Sequence, residues 1–111
     1  MKNLIYCGLV MLLLASCGRE KIDEHQNFVG AWYGSDDQNR TYEIIIEDDG
    51  QCYYYRQGFG YVERTGRFWV NKSGDKVKIA GKKFDLETYP IEEENDVWFM
   101  QVDDIELYAS K

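Results

Sequence analysis

From Phe28 onward, short apolar or aromatic runs are broken by Gly, Asp or Asn every 8 to 12 residues. This punctuation marks an all-β meander, sandwich or barrel, because each run is long enough for one strand and each break supplies turn chemistry. Past position 17 no long apolar stripe repeats with the helical period, so any helix is short.

Alternation within the runs assigns faces. Phe28 to Gly34 forms the first strand and Ser35 to Asn39 a loop. In Thr41 to Glu47 a period of two puts Tyr42, Ile44 and Ile46 on the core face and Thr41, Glu43, Ile45 and Glu47 on the other. Asp48-Asp49-Gly50 then turns the chain. A three-residue loop with a bulge, Gly50 taking positive φ, sets Ile46 opposite Cys52 and Ile44 opposite Tyr54, and buries Cys52 and Tyr54. A two-residue Asp49-Gly50 loop instead buries Tyr53 and Tyr55, since a slip of one residue exchanges the faces. The first register is preferred.

Gln57-Gly58-Phe59-Gly60 makes a corner into Tyr61 to Val70, one long strand bent at Gly66 or two short ones, with Phe68 and Val70 on one face. Lys76 to Ile79 buries Val77 and Ile79. Lys83 to Tyr89 turns Phe84 and Leu86 inward, and Pro90 is expected to end that strand because it cannot donate to the ladder. Glu92 to Asp96 reads as a loop, followed by a hairpin of Val97 to Val102 and Ile105 to Ala109 across Asp103-Asp104, with Trp98, Met100 and Val102 inward. The expectation is an antiparallel up-and-down meander or barrel of about eight strands.

The amino-terminal stretch has a different character. Lys2 precedes an apolar run of 12 residues, Leu4 to Ala15, short of the roughly 20 residues a helix needs to cross a bilayer and suited to a signal-peptide core. Leu14-Ala15-Ser16-Cys17 resembles the lipobox of bacterial lipoproteins at all four positions. The resemblance implies removal of residues 1–16 and lipidation of Cys17, with acyl chains such as palmitate as the whole membrane anchor, at about 0.8 kcal/mol per buried methylene. Gly18 follows the cysteine where aspartate retains many such proteins in the inner membrane, so an outer-membrane destination is expected. Residues 18–27 are polar and read as a flexible tether, residues 17–27 forming one unit with the lipidated cysteine, and residues 28–111 as one β domain.

Counting from Cys17, 95 residues remain, enough for one small core, with twelve basic and 20 acidic side chains and a net charge of −8. A negative surface disfavours nucleic acid and anionic lipid headgroups as partners. Cys7 leaves with the signal and Cys17 carries lipid, so Cys52 stands alone and no intramolecular disulfide forms.

Gly30-Ala31-Trp32, Asp49-Gly50-Gln51-Cys52, Gly66-Arg67-Phe68-Trp69-Val70, Gly74-Asp75-Lys76-Val77-Lys78-Ile79 and Trp98-Phe99-Met100 before Tyr108 together resemble the small lipocalin-like lipoproteins of Bacteroides-type bacteria. The resemblance covers most of residues 28–110. It implies a barrel of about eight strands with Gly30 and Trp32 as its signature, Trp32 plugging the floor under an arginine contributed near the last strand. No arginine follows Arg67 in this chain.

Catalytic sets are not expected. His25, the one histidine, lies in the tether, which weighs against histidine bases and the usual metal sites. Asp36-Asp37, Asp48-Asp49, Glu92 to Glu94 and Asp103-Asp104 fall in turns without a calcium-loop pattern, so no metal or other cofactor is expected. A barrel this small offers little cleft to desolvate a glycosidase pair, and Cys52 lacks a histidine partner. The outward aromatics Tyr53, Tyr55, Trp69 and Phe99 form a candidate platform for a sugar ring, a peptide or a protein partner. The expected function is that of a non-enzymatic, lipid-anchored binding or interaction module of the cell envelope. Two alternatives stand beside it: a carrier of small apolar ligands, and an inhibitor or assembly partner of another envelope protein.

Overall fold

The computed structural model describes residues 23–111. The expected signal peptide and Cys17 lie outside them. A short 3-10 helix, Asp23–Phe28, leads into eight strands: β1 Gly30–Ser35, β2 Thr41–Ile46, β3 Gln51–Gln57, β4 Tyr61–Val70, β5 Lys76–Ile79, β6 Lys82–Glu94, β7 Val97–Val102 and β8 Ile105–Ser110. Each strand pairs antiparallel with the next, and β8 returns to β1 through Tyr33↔Tyr108 and Gly34↔Leu107. The result is a closed up-and-down barrel of eight strands, the architecture of lipocalin-like folds.

The first hairpin adopts the three-residue loop. Ile46 faces Cys52 and Ile44 faces Tyr54, the Gly50 amide donates to the Glu47 carbonyl at 2.9 Å, and Gly50 sits at φ +90°, where a side chain would be strained. Tyr42, Ile44, Ile46, Cys52 and Tyr54 are buried accordingly, joined inside by Trp32, Phe68, Val77, Ile79, Phe84, Met100, Val102, Ile105 and Leu107. In β2, β5 and β8 every second residue is buried, as the period of two requires.

β4 is one strand that changes neighbour. Its residues Tyr61 to Arg67 pair with β3, and Phe68 to Val70 pair with β5. The change falls beside Gly66, where an added Cβ would lie 3.0 Å from Ala80 Cα, so the missing side chain lets the Ala80-Gly81 turn approach.

Two boundaries differ from expectation. Pro90 does not end its strand: β6 runs on to Glu94, and Pro90 is buried inside it. The pairing with β7 shifts register between Thr88 and Ile91, so Pro90 lies in an irregular stretch of the ladder. On the other side β5 pairs no further along β6 than Asp85, and no donor is needed there. Glu92 to Glu94 therefore extend the strand, and only Asn95 and Asp96, both with positive φ, turn the chain.

The start also differs. Phe28 ends the 3-10 helix and β1 begins at Gly30, so residues 23–27 of the stretch read as tether form this helix against the barrel. Phe28 is its anchor, fully buried, with ring centroids 4.8 Å from Phe68 and 5.0 Å from Tyr89.

Candidate functional site

The floor of the barrel is built around Trp32. Its indole N–H donates to the Phe28 carbonyl at 2.8 Å, which ties the helix across the end of the strands. Lys111, just past β8, brings its ammonium to 5.1 Å from the Trp32 ring centroid and 4.5 Å from that of Trp98. The same ammonium donates to the carbonyls of Asn27 at 2.6 Å and Val29 at 2.9 Å. Loss of water pulls its pKa below the ordinary lysine value. Gly30 lies beside the lysine stem at φ +146°, a backbone conformation that side-chain-bearing residues rarely adopt.

Around the β1–β2 loop, Asp36 organises a polar knot. Burial acts to raise its pKa, but hydrogen bonds from the Tyr42 hydroxyl, the Arg40 amide and guanidinium, and the Gln38 amide outweigh it and hold the carboxyl at about 2. Burial and the neighbouring Asp36 push the Tyr42 phenol up. Asp37 is also raised, by a hydrogen bond to and repulsion from Asp104 of the β7–β8 turn.

The four aromatics read as a platform all belong to outward positions, and the structure distributes them. Tyr53 and Tyr55 lie half-buried on β3 and Trp69 stands exposed on the adjacent β4. Phe99 is on β7, its ring 5.1 Å from Tyr108 of β8. Register links the two groups, because Ile91, Phe99, Tyr108, Tyr33, Glu43 and Tyr55 are successive cross-strand partners. Neither Tyr33 nor Tyr108 was read from the sequence as part of this platform. Only the pairing of the first strand with the last brings them into this row.

Two outer grooves flank β4. One, of about 480 Å³, is walled by Tyr33, Tyr55 and Tyr61, with Glu43 and Gln57 between them. Beyond it Phe59 protrudes at the tip of the β3–β4 hairpin, 80 % exposed. The other, of about 430 Å³, lies between Trp69, Arg67, Lys78 and the Ala80-Gly81 turn.

Charge is divided unevenly around the barrel. Between Arg56 and Lys83 stand eight basic and two acidic side chains, a net +6, whereas Phe84 to Ser110 carries nine acidic and none basic. The overall charge of −7 therefore conceals a basic sector over β4 and β5. Lys76 and Asp85, 2.6 Å apart, join the sectors.

The groups with reactive potential are occupied in structural contacts. Cys52 Sγ accepts the Ala80 amide at 3.1 Å, and burial raises the thiol so that the thiolate is disfavoured. His25 Nδ1 lies 3.2 Å from the Tyr89 hydroxyl, its ring against Phe28. Among the described residues, no three or more His, Cys, Asp or Glu side chains converge as metal ligands. Comparison with family models, curated proteins and solved structures found no match.

Proposed function

We propose that this protein is a non-enzymatic binding or interaction module of the bacterial cell envelope, held at the outer membrane by lipid on Cys17 and working through the outer face of β3 and β4. The observation that carries the reading is the division of aromatic side chains. Trp32, Phe28, Tyr54 and Phe68 fill the barrel, while Tyr33, Tyr55, Tyr61 and Trp69 line grooves on its outside.

Outward rings of this kind offer large contact area at little loss of side-chain entropy. Rings packed inside leave a ligand less room, which sets the module apart from a carrier of apolar molecules. The lipobox at Leu14 to Cys17 supports the anchoring, and the 3-10 helix Asp23–Phe28 at the floor of the barrel supports an anchor on that side.

Crosslinking in cells tests the reading. It should recover one defined envelope component, lost when Tyr55 or Trp69 is changed to Ala in a protein that still folds. Recovery unaffected by both changes would refute a role for this face. Stoichiometric binding of apolar dyes, displaced by a native compound, would favour the carrier instead.

A further inference from the structure

We infer that the groove beside Trp69 binds an acidic saccharide, with the indole taking the face of a pyranose ring and the flanking cations taking its carboxylate or sulfate. This inference rests on the binding function proposed above and names the ligand class for the same face.

The geometry has three parts. Trp69 is 53 % exposed and pairs across the strands with Lys78, whose ammonium lies over one face of the ring, 5.9 Å from its centroid. Arg67, two residues back on the same face of β4, is braced by a hydrogen bond from Nη2 to the Asp49 carbonyl at 2.9 Å. That bond fixes the planar fork and leaves other N–H donors for an oxyanion, which a guanidinium can grip with two of them. Arg64 holds the opposite wall, donating from Nε to the Ala80 carbonyl at 3.1 Å.

Farther along the face the pattern continues. Gln51 pairs with Arg67 and Tyr53 with Thr65, so a second ring lies beside a position four residues from Trp69, a distance of ~13 Å along a strand. Ring, cation and amide, then hydroxyl and ring follow one another along the line of β4. A chain of sugar rings presents the matching order of apolar C–H faces and polar substituents. Hydroxyl-rich ligands need both stacking surfaces and hydrogen-bonding groups, and this face supplies both.

Charge selects the acidic form. The groove lies in the sector of net +6 in a protein of net −7, so an anion is drawn to this side and repelled from the Phe84 to Ser110 side. An acidic peptide fits less well. β5, which forms one side of the groove, is paired with β4 and β6 on its two edges and leaves neither for strand addition, and Trp69 is the one large apolar side chain in the groove wall. A lipid surface fits less well too, because Trp69 sits in a trough against the Ala80-Gly81 turn whereas the protruding ring is Phe59, at the other end of β4.

The test titrates the full-length protein, purified in neutral detergent, while following tryptophan fluorescence. The probes are hexagalacturonate, a heparin hexasaccharide, methyl-esterified hexagalacturonate, hexaglutamate and mixed micelles carrying phosphatidylglycerol. At least one acidic saccharide should bind saturably, about tenfold or more tighter than the uncharged ester, and weaken with added salt. Trp69→Ala and Lys78→Glu should each weaken it about tenfold, and Trp69→Tyr should retain part of the affinity.

No binding of either acidic saccharide overturns the inference, as does unchanged binding by folded Trp69→Ala and Lys78→Glu. Equal or tighter binding of hexaglutamate reassigns the groove to an acidic protein, and of the anionic micelles to lipid; each also overturns it. If the saccharides fail while crosslinking still recovers a component that depends on Trp69, the binding function stands and only this ligand class falls.

Discussion

The Lys111 ammonium stands 5.1 Å from the centroid of the Trp32 ring, at the end of the barrel where the 3-10 helix crosses. A cation over this tryptophan is what the lipocalin-like resemblance implies, with arginine as its source. Here a lysine from beyond the last strand fills the position, and the Asn27 and Val29 carbonyls take the hydrogen bonds that a guanidinium would spread over its fork. One side chain thereby joins the end of the chain to the start of the domain.

Removing that contact should loosen the floor. Lys111→Ala loses two charge-assisted hydrogen bonds and two ring contacts on a partly solvated side chain, a cost of about 1–2 kcal/mol. Urea denaturation should show the lower midpoint, with Lys111→Arg close to wild type. Hydrogen exchange should show faster exchange at residues 26–29 in Lys111→Ala, and unchanged protection there would contradict the contact's role.

Asp36 makes a pH prediction. Its carboxyl has a pKa of about 2 in the fold against 3.8 ordinarily. A depressed carboxylate stabilises the fold fully above its unfolded pKa, and that contribution is lost as pH falls through the folded value. Wild type should therefore lose about 2 kcal/mol of stability from this group between pH ~4 and ~2. Asp36→Asn should be less stable at pH 7, and its difference from wild type should shrink across that window. A constant difference from pH 7 to 2 would refute the assignment.

Barrel closure depends on an absent side chain at Gly34. A Cβ there would fall 1.8 Å from the Glu106 carbonyl oxygen, well inside contact distance, so β1 and β8 could not stay paired as they are. Gly34→Ala should cost about 3 kcal/mol or more or prevent folding, measured by thermal unfolding. Gly74→Ala, in a turn where a Cβ meets nothing within 4 Å but φ is +76°, serves as the milder control.

Cys17 decides anchoring. Radiolabelled palmitate should enter the wild-type protein and not Cys17→Ala, and the variant should leave the membrane fraction. Equal labelling of both would exclude lipidation at this cysteine.

Much of the barrel was legible because alternation and turn chemistry agree locally. Ile44, Ile46, Cys52 and Tyr54 could be assigned from the Asp48-Asp49-Gly50 loop alone, since loop length fixes register and register fixes faces. Pro90 was misjudged because its tolerance depends on what lies beside it: β5 pairs no further than Asp85, which chain order does not reveal. The role of Lys111 was hidden for a related reason, as nothing in the chain places residue 111 over residue 32 until β8 has closed on β1.

The outer face shows the same limit. Alternation identified Tyr53, Tyr55, Trp69 and Phe99 as outward, but the row that joins Phe99 through Tyr108 and Tyr33 to Tyr55 exists only across paired strands. The basic sector was likewise obscured by a net charge of −7, which averages a positive third of the domain with a strongly negative one.

Native mass spectrometry of the protein extracted gently from its own envelope tests the central claim, that binding occurs on the outer face and not in the interior. The acylated chain beginning at Cys17 should appear without an apolar cargo. Any companion that leaves with it should be lost from the Tyr55→Ala and Trp69→Ala variants. A stoichiometric apolar molecule that stays bound in both variants would contradict the claim and place the ligand inside the barrel.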